Sequence, residues 1–195
     1  METNDASVAA AAIHDGELVV YPTETVYGLG ADALDAEAVS QAFSLKGRSH
    51  KRPISFAVAS VDEASEYARP TAREKRFMKE FLPGPVTVLL ERRGTIPNVL
   101  TAGREKVGVR VPDHNLAREL CRRCGPLTAT SANRSGEPSA RRTEELDETV
   151  RENVAVVLDG GRTPGTESTV VDVASRDVIR RGANAEAIDR WLTEH

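Results

Sequence analysis

The sequence predicts a single α/β domain built on a sheet of mixed direction. Three observations carry that expectation. Apolar runs of strand length alternate with segments of helical spacing along all 195 residues. Several strand-like runs nonetheless follow one another through turns with no helix between them, which a purely doubly wound sheet does not allow. No repeat, linker or low-complexity tract divides the chain, and its length suits one domain with a full core.

The elements follow in order. Asp5 or Ser7 can cap a first helix ending at Gly16, a residue suited to the left-handed position beyond a helix. Leu18–Tyr21 reads as a buried strand stopped by Pro22. Leu34–Leu45 has helical spacing, Pro53–Ala59 reads as a strand, and Val61–Phe81 as one or two helices broken near Pro70. A turn at Pro83-Gly84-Pro85 precedes the strand Val86–Leu90. Val107–Val111 alternates and ends at Pro112; His114–Cys124 is helical and Leu127–Thr130 a short strand. Glu144–Arg151 reads as a polar helix, and Val154–Leu158, Thr169–Val173 and Val178–Arg180 as three further strands. Asn184–Leu192 closes as an amphipathic helix with Trp191 on its apolar side.

Composition narrows the function classes. No apolar run approaches the ~20 residues that cross a bilayer, and the acidic opening Met1-Glu2-Thr3-Asn4-Asp5 lacks the basic region of a signal peptide. A cytoplasmic location with no membrane association is expected. The net charge of −4 argues against a nucleic-acid binder held by bulk charge. Its cations are nonetheless clustered, at Lys46–Arg52, Arg73–Lys79, Arg141-Arg142 and Arg180-Arg181; the second group reads as a solvated helix face. Cys121 and Cys124, with no second ligand pair nearby, read as packing residues at helical spacing, although the flanking arginines would favour a thiolate. No metal site is expected.

Four segments carry chemistry, and all are expected in loops at strand ends, where α/β proteins place ligands. Pro22–Gly30 offers two hydroxyls, a carboxylate and two glycines. Its Gly28–Ala33 stretch also fits a dinucleotide fingerprint, but no acid lies about 20 residues on at a strand tip, so that reading is set aside. Lys46-Gly47-Arg48, with Lys51 and Arg52 behind it, can hold a polyphosphate. Thr128–Gly136, running on to Ser139, sets out small donors; Gly160–Val170 is a flexible loop that could close over a ligand or serve only as a turn.

Taken together, P-T-E-T-x-Y-G-L from Pro22, K-x-R at Lys46 and Arg48, S-x-N at Ser131 and Asn133, and E-S-T-V-V-D from Glu167 resemble the YrdC-like threonylcarbamoyl-AMP synthases in order and spacing, from Leu18 to Arg181. The resemblance implies a twisted sheet with flanking helices around a positively lined cavity. It implies a nucleotidyltransferase that joins L-threonine, bicarbonate and ATP into threonylcarbamoyl-AMP and releases pyrophosphate. Mg²⁺ would be held mainly by the ATP phosphates, and a separate transferase would move the group onto tRNA. Carried across, Thr25, Arg110 and Ser168 match threonine-binding positions. Lys46, Arg48, Arg52, Lys106, Ser131, Asn133, Ser139 and Arg180 match ATP-binding positions, with Lys46 and Arg48 in the catalytic role. A buried Arg110 needs either an internal acid or a bound carboxylate, and the resemblance favours the substrate carboxylate. Ala57 stands where many members carry His, and Arg52 where Asn is frequent. The larger members add a C-terminal domain, not expected in a chain that stops soon after Arg181.

Two rivals remain, the first of them from another class. A basic cavity could grip tRNA or double-stranded RNA, making the chain an RNA-binding module in tRNA or ribosome maturation. A carbamoyl-adenylate maker like the related domain of hydrogenase-maturation carbamoyltransferases would carry acylphosphatase and zinc modules, for which the sequence has no counterpart.

Overall fold

A computed structural model describes all residues from Met1 to His195. The strands are Glu2–Thr3 (β1), Val19–Tyr21 (β2), Gly28–Gly30 (β3), Ser55–Ala57 (β4), Val86–Glu91 (β5), Lys106–Arg110 (β6), Leu127–Ser131 (β7), Val156–Leu158 (β8), Thr169–Asp172 (β9) and Asp177–Arg180 (β10). The helices are Ala6–His14 (α1), Ala36–Lys46 (α2), Val61–Tyr67 (α3), Ala72–Phe81 (α4), Asn98–Thr101 (α5), Asn115–Cys124 (α6), Glu148–Glu152 (α7) and Ala185–Glu194 (α8). All ten strands join one sheet in the order β1-β8-β2-β3-β7-β4-β6-β5-β9-β10, with parallel and antiparallel neighbours mixed, as expected. No helix is long and apolar enough to cross a membrane.

Local chemistry sets the helix ends. Asp5 caps α1 by accepting from the Ser7 amide at 2.8 Å, and Asp35 does the same for α2 through Glu37. Gly47 ends α2 in the left-handed conformation, φ 56°, which costs a residue with a Cβ and not glycine. Past Pro70, Thr71 and Glu74 form a reciprocal capping box that starts α4.

The sheet is not covered evenly, and that places the cavity. Around β2 both faces are packed: Val19 and Tyr21 meet α1 and α6, while Leu18 and Val20 face α2 and α7. Further along, β4, β5, β6 and β9 send Phe56, Val88, Val109 and Val171 into a core closed by α4 and α8, where Trp191 is buried. Their opposite face carries Ser55, Thr87, Gly108, Arg110 and Val170, which open onto a cavity.

Several expectations needed correction. Gly28–Gly30 is a strand rather than a loop, antiparallel to β2, because the two glycines leave room for the Tyr21 ring: a Cβ at Gly28 would lie 3.0 Å from Tyr21 Cζ. The strand expected over Leu127–Thr130 is present and runs one residue further, to Ser131, so the first part of Thr128–Gly136 lies in β7 rather than in a loop. The expected helix over 144–151 splits into a 3₁₀ turn, Thr143–Glu145, and α7, because Leu146 turns inward and Asp147 caps a new start. β1 and α5 had no periodic signal to announce them, being only two and four residues long.

Candidate functional site

The uncovered sheet face forms the floor of a cavity of about 670 Å³, and all eleven site residues named from the sequence line it. They converge from five places: the β2–β3 loop, the end of α2, β6, the end of β7 with the loop beyond it, and the β9–β10 hairpin.

At one end stands Arg110. Strand alternation turns Lys106, Gly108 and Arg110 to the cavity while Val107, Val109 and Val111 enter the core. Arg110 Nη2 donates to Glu24 Oε1 at 2.6 Å and to Thr25 Oγ1 at 3.3 Å. Thr25 is itself fixed, its hydroxyl 2.8 Å from that of Thr23 and its carbonyl accepting from the Gly165 amide at 2.7 Å. Glu24 thus answers part of the charge of Arg110 from within the protein, the internal acid that the sequence left open beside a bound carboxylate. Ala57 pairs in register with Arg110 across β4–β6 and leaves the floor beside the guanidinium low.

At the other end the cations crowd. Lys46 was expected in a loop; it is the last residue of α2 and only 2% exposed. Its ammonium donates to the carbonyls of Ser131 and Asn133, the latter at 2.6 Å, so one of three N–H bonds remains for a ligand. Burial first, then the Arg48 charge, brings its pKa down to about 8. Arg48 donates to the carbonyls of Arg52 and Pro53 at 3.0 and 2.9 Å; burial and the charges of Arg52 and Arg180 also push its pKa down. Arg180 reaches toward Arg48 from β10 while holding the Ser168 carbonyl and hydroxyl, each at 2.9 Å from Nη2; Ser168 itself lies on the Arg110 side, its hydroxyl 3.2 Å from that of Thr87. Asn133 uses its amide to brace the following turn through Arg134 and Glu137 carbonyls, and accepts from Ser139 at 3.4 Å.

Seven cations and two acids, Glu137 and Glu167, line the cavity. Lys106 is tied to Asp172 at 2.5 Å and Arg110 to Glu24, whereas Lys46, Arg48, Arg52 and Arg104 have no acidic partner. Such a surplus in a concave, partly dry space favours a polyanion. Arg104, Thr87 and Ser55 were missed from the sequence. The alternation of β5 could have flagged Thr87; nothing local could have flagged Arg104, which reaches the cavity because Arg92 pins its turn, Nε to the Arg104 carbonyl at 3.0 Å. The thiols of Cys121 and Cys124 are both raised, chiefly by burial, the second to about 12, which fits packing and not a reactive thiolate.

Residues 11–182 match the Sua5/YciO/YrdC family model, whose description reads telomere recombination. The chain belongs to this family. The threonylcarbamoyl-AMP synthase of Pyrococcus abyssi is 40% identical over 169 residues, covering 85% of this chain and 50% of that protein. The crystal structure of P. abyssi Sua5 complexed with L-threonine superposes with a TM-score of 0.90 at 35% identity, covering 100% of this chain and 61% of that one. E. coli YciO shares the fold over 94% of both chains, with a TM-score of 0.83 at 24% identity. The chain spans about half the length of the first curated synthases it matches. The family fold expected from the motifs is thus the fold observed.

Proposed function

We propose that this chain joins L-threonine, bicarbonate and ATP into threonylcarbamoyl-AMP and pyrophosphate, and that a separate transferase passes the threonylcarbamoyl group to tRNA. The observation that carries the reading is the division of one cavity into a carboxylate-recognising end, Arg110 with Thr25, and a polyanion-recognising end, Lys46 with Arg48 and Arg180. A Sua5 relative was crystallised with L-threonine, and curated relatives at 39–40% identity are threonylcarbamoyl-AMP synthases, which supports the same assignment here.

In this reading the guanidinium of Arg110 binds the amino-acid carboxylate, and the hydroxyls of Thr25 and Ser168 meet its polar side chain. Threonine's amine adds to the carbon of CO₂ derived from bicarbonate, losing a proton to form a carbamate. A carbamate oxygen then attacks the α-phosphorus of ATP and pyrophosphate leaves. The nucleophile belongs to the substrate, so the protein's work is positioning and charge stabilisation. Lys46, Arg48, Arg52 and Arg180 offset the charge on the departing phosphates, with Lys106 beside them and Ser131, Asn133 and Ser139 shaping the nucleotide's loop. No three His, Cys, Asp or Glu side chains cluster as a cage. A Mg²⁺ held mainly by the ATP phosphates would supply further neutralisation of the triphosphate.

The test is product analysis. Labelled threonine, bicarbonate, ATP and Mg²⁺ should yield threonylcarbamoyl-AMP by mass spectrometry, with pyrophosphate release lost when any one is omitted. ATP hydrolysis indifferent to threonine would remove the reading. Tight RNA binding with no such product would favour the RNA-binding module instead.

A further inference from the structure

The reaction above leaves one buried carboxylate without a task. Glu24 does not line the cavity, yet it grips Arg110 from behind, and each side chain keeps only 12% of its surface. Its second oxygen, Oε2, is buried and makes no hydrogen bond. Only four buried side-chain polar atoms in the chain share that condition, and three belong to interacting groups: Glu24 Oε2, His114 Nδ1 and Arg118 Nε. The His114 ring and Pro22, two residues before Glu24, both pack against Gly160. A Cβ on Gly160 would fall 3.0 Å from His114 Cε1 and 2.6 Å from Cγ of Pro22. Buried polar atoms without partners are rare because their desolvation goes uncompensated. Their grouping behind one ligand-facing guanidinium calls for an account.

We propose that Glu24, backed by His114, is the positioning residue that presents the Arg110 guanidinium to the carboxylate of the amino-acid substrate. This rests on the reading of the cavity given above. Glu24 and Thr25 both engage Nη2, whereas Nε and Nη1 carry no protein hydrogen bond and stay accessible from the cavity. The free edge of the fork is thus held ready for a second carboxylate, and the ligand does not bear the cost of ordering the side chain. His114 makes the hold dependent on pH. It stands at the start of α6, where burial and the helix dipole both oppose a positive ring. Glu24 and Asp113 favour its protonation, and Arg118 opposes it. Asp159, on the segment packed against the ring, is committed to Tyr27 and Gly161, and Arg110 stands beyond Glu24. A protonated His114 is a cation within range of the Glu24 charge and competes with Arg110 for it. The hold on Arg110 therefore weakens as pH falls through the titration of His114, below the ordinary imidazole range.

The test measures threonine and ATP KM, and threonine Kd by calorimetry, for the wild type, E24A, E24Q and H114N from about pH 5 to 8. E24A should raise the threonine KM about 10- to 100-fold, the scale of a misplaced binding group, and leave the ATP KM unchanged. E24Q keeps an acceptor oxygen for Nη2 and should recover most of that loss. The wild type should lose threonine affinity on the acid side, and H114N should abolish that loss. A wild-type threonine KM in E24A, or an ATP KM rising in step with a fallen melting temperature and no rescue by E24Q, would overturn the inference alone. An acid-side loss that persists in H114N would also overturn it, by assigning the loss elsewhere. A wild type that never binds threonine would remove the substrate reading itself, and this inference with it.

Discussion

Two cavity residues that look alike in sequence differ in what they hold. Arg48 donates to carbonyls of its own turn, whereas Lys46 ties the end of α2 to the Ser131 and Asn133 carbonyls at the end of β7 and the loop beyond it. Arg48→Ala should therefore cut turnover roughly 100- to 1,000-fold with the melting temperature unchanged. Lys46→Ala should cut turnover and lower the melting temperature as well, since two buried carbonyls lose their donor. Equal melting curves for the two variants would show that the bridge contributes nothing to stability. Arg110→Lys keeps a charge for Glu24 but loses the planar fork, so threonine affinity should fall about 5- to 150-fold, or about 1–3 kcal/mol, with ATP affinity unaltered by calorimetry. Lys46 also sets a pH limit. Its pKa in the folded chain, about 8, lies below the ordinary 10.5, so the unfolded chain holds more protons between those values. Stability should rise with pH across that window, and ATP affinity should fall as the ammonium is lost. Lys46→Arg should remove the alkaline loss of affinity, because a guanidinium stays charged.

At the scale of elements, the cavity depends on strands that give one face to the core and keep the other small. Gly108 is the tightest point: a Cβ there would lie 2.2 Å from Ser55 Oγ and 2.9 Å from Thr87 Cγ2. Gly108→Ala should destabilise the fold by about 1–3 kcal/mol in chemical denaturation, the usual penalty of overpacking. Removing the obstructing oxygen in a Ser55→Ala, Gly108→Ala double variant should return part of that loss. A fully additive double variant would mean that the strands move apart freely and that close approach is not the reason for the glycine.

The whole molecule is a ten-stranded sheet packed on both faces at one end and on one face at the other. Helices cover what is apolar; the cavity is the part of the sheet whose outward residues are small, hydroxylic or cationic. Because both proposed ligands bridge elements that meet only in the folded chain, they should stabilise it jointly. Threonine at about 100 times its Kd adds about 2.7 kcal/mol, which for a chain of this size raises the melting temperature by roughly 5–10 °C. Glycine, lacking the hydroxyl offered to Thr25 and Ser168, should shift it less. An equal shift with glycine would remove the side-chain part of the assignment.

The class of fold, most helices and most strands were legible because periodicity and capping are local. Asp5, Asp35, Thr71 and Gly47 mark their helix ends within a few residues of chain. The eleven cavity residues were legible for a different reason: their order matched a family, and the structure gathers them into one space. Tertiary structure alone decided which charges are answered and by what. Glu24 lies beside Arg110 only after β2 and β6 take their places in the sheet, 86 positions apart in the chain. Gly28–Gly30 becomes a strand because of Tyr21, and Arg104 joins the cavity because of Arg92. Periodicity encodes which face of an element is buried; it carries no record of the partner that waits there, since that is fixed by contacts between residues far apart in sequence.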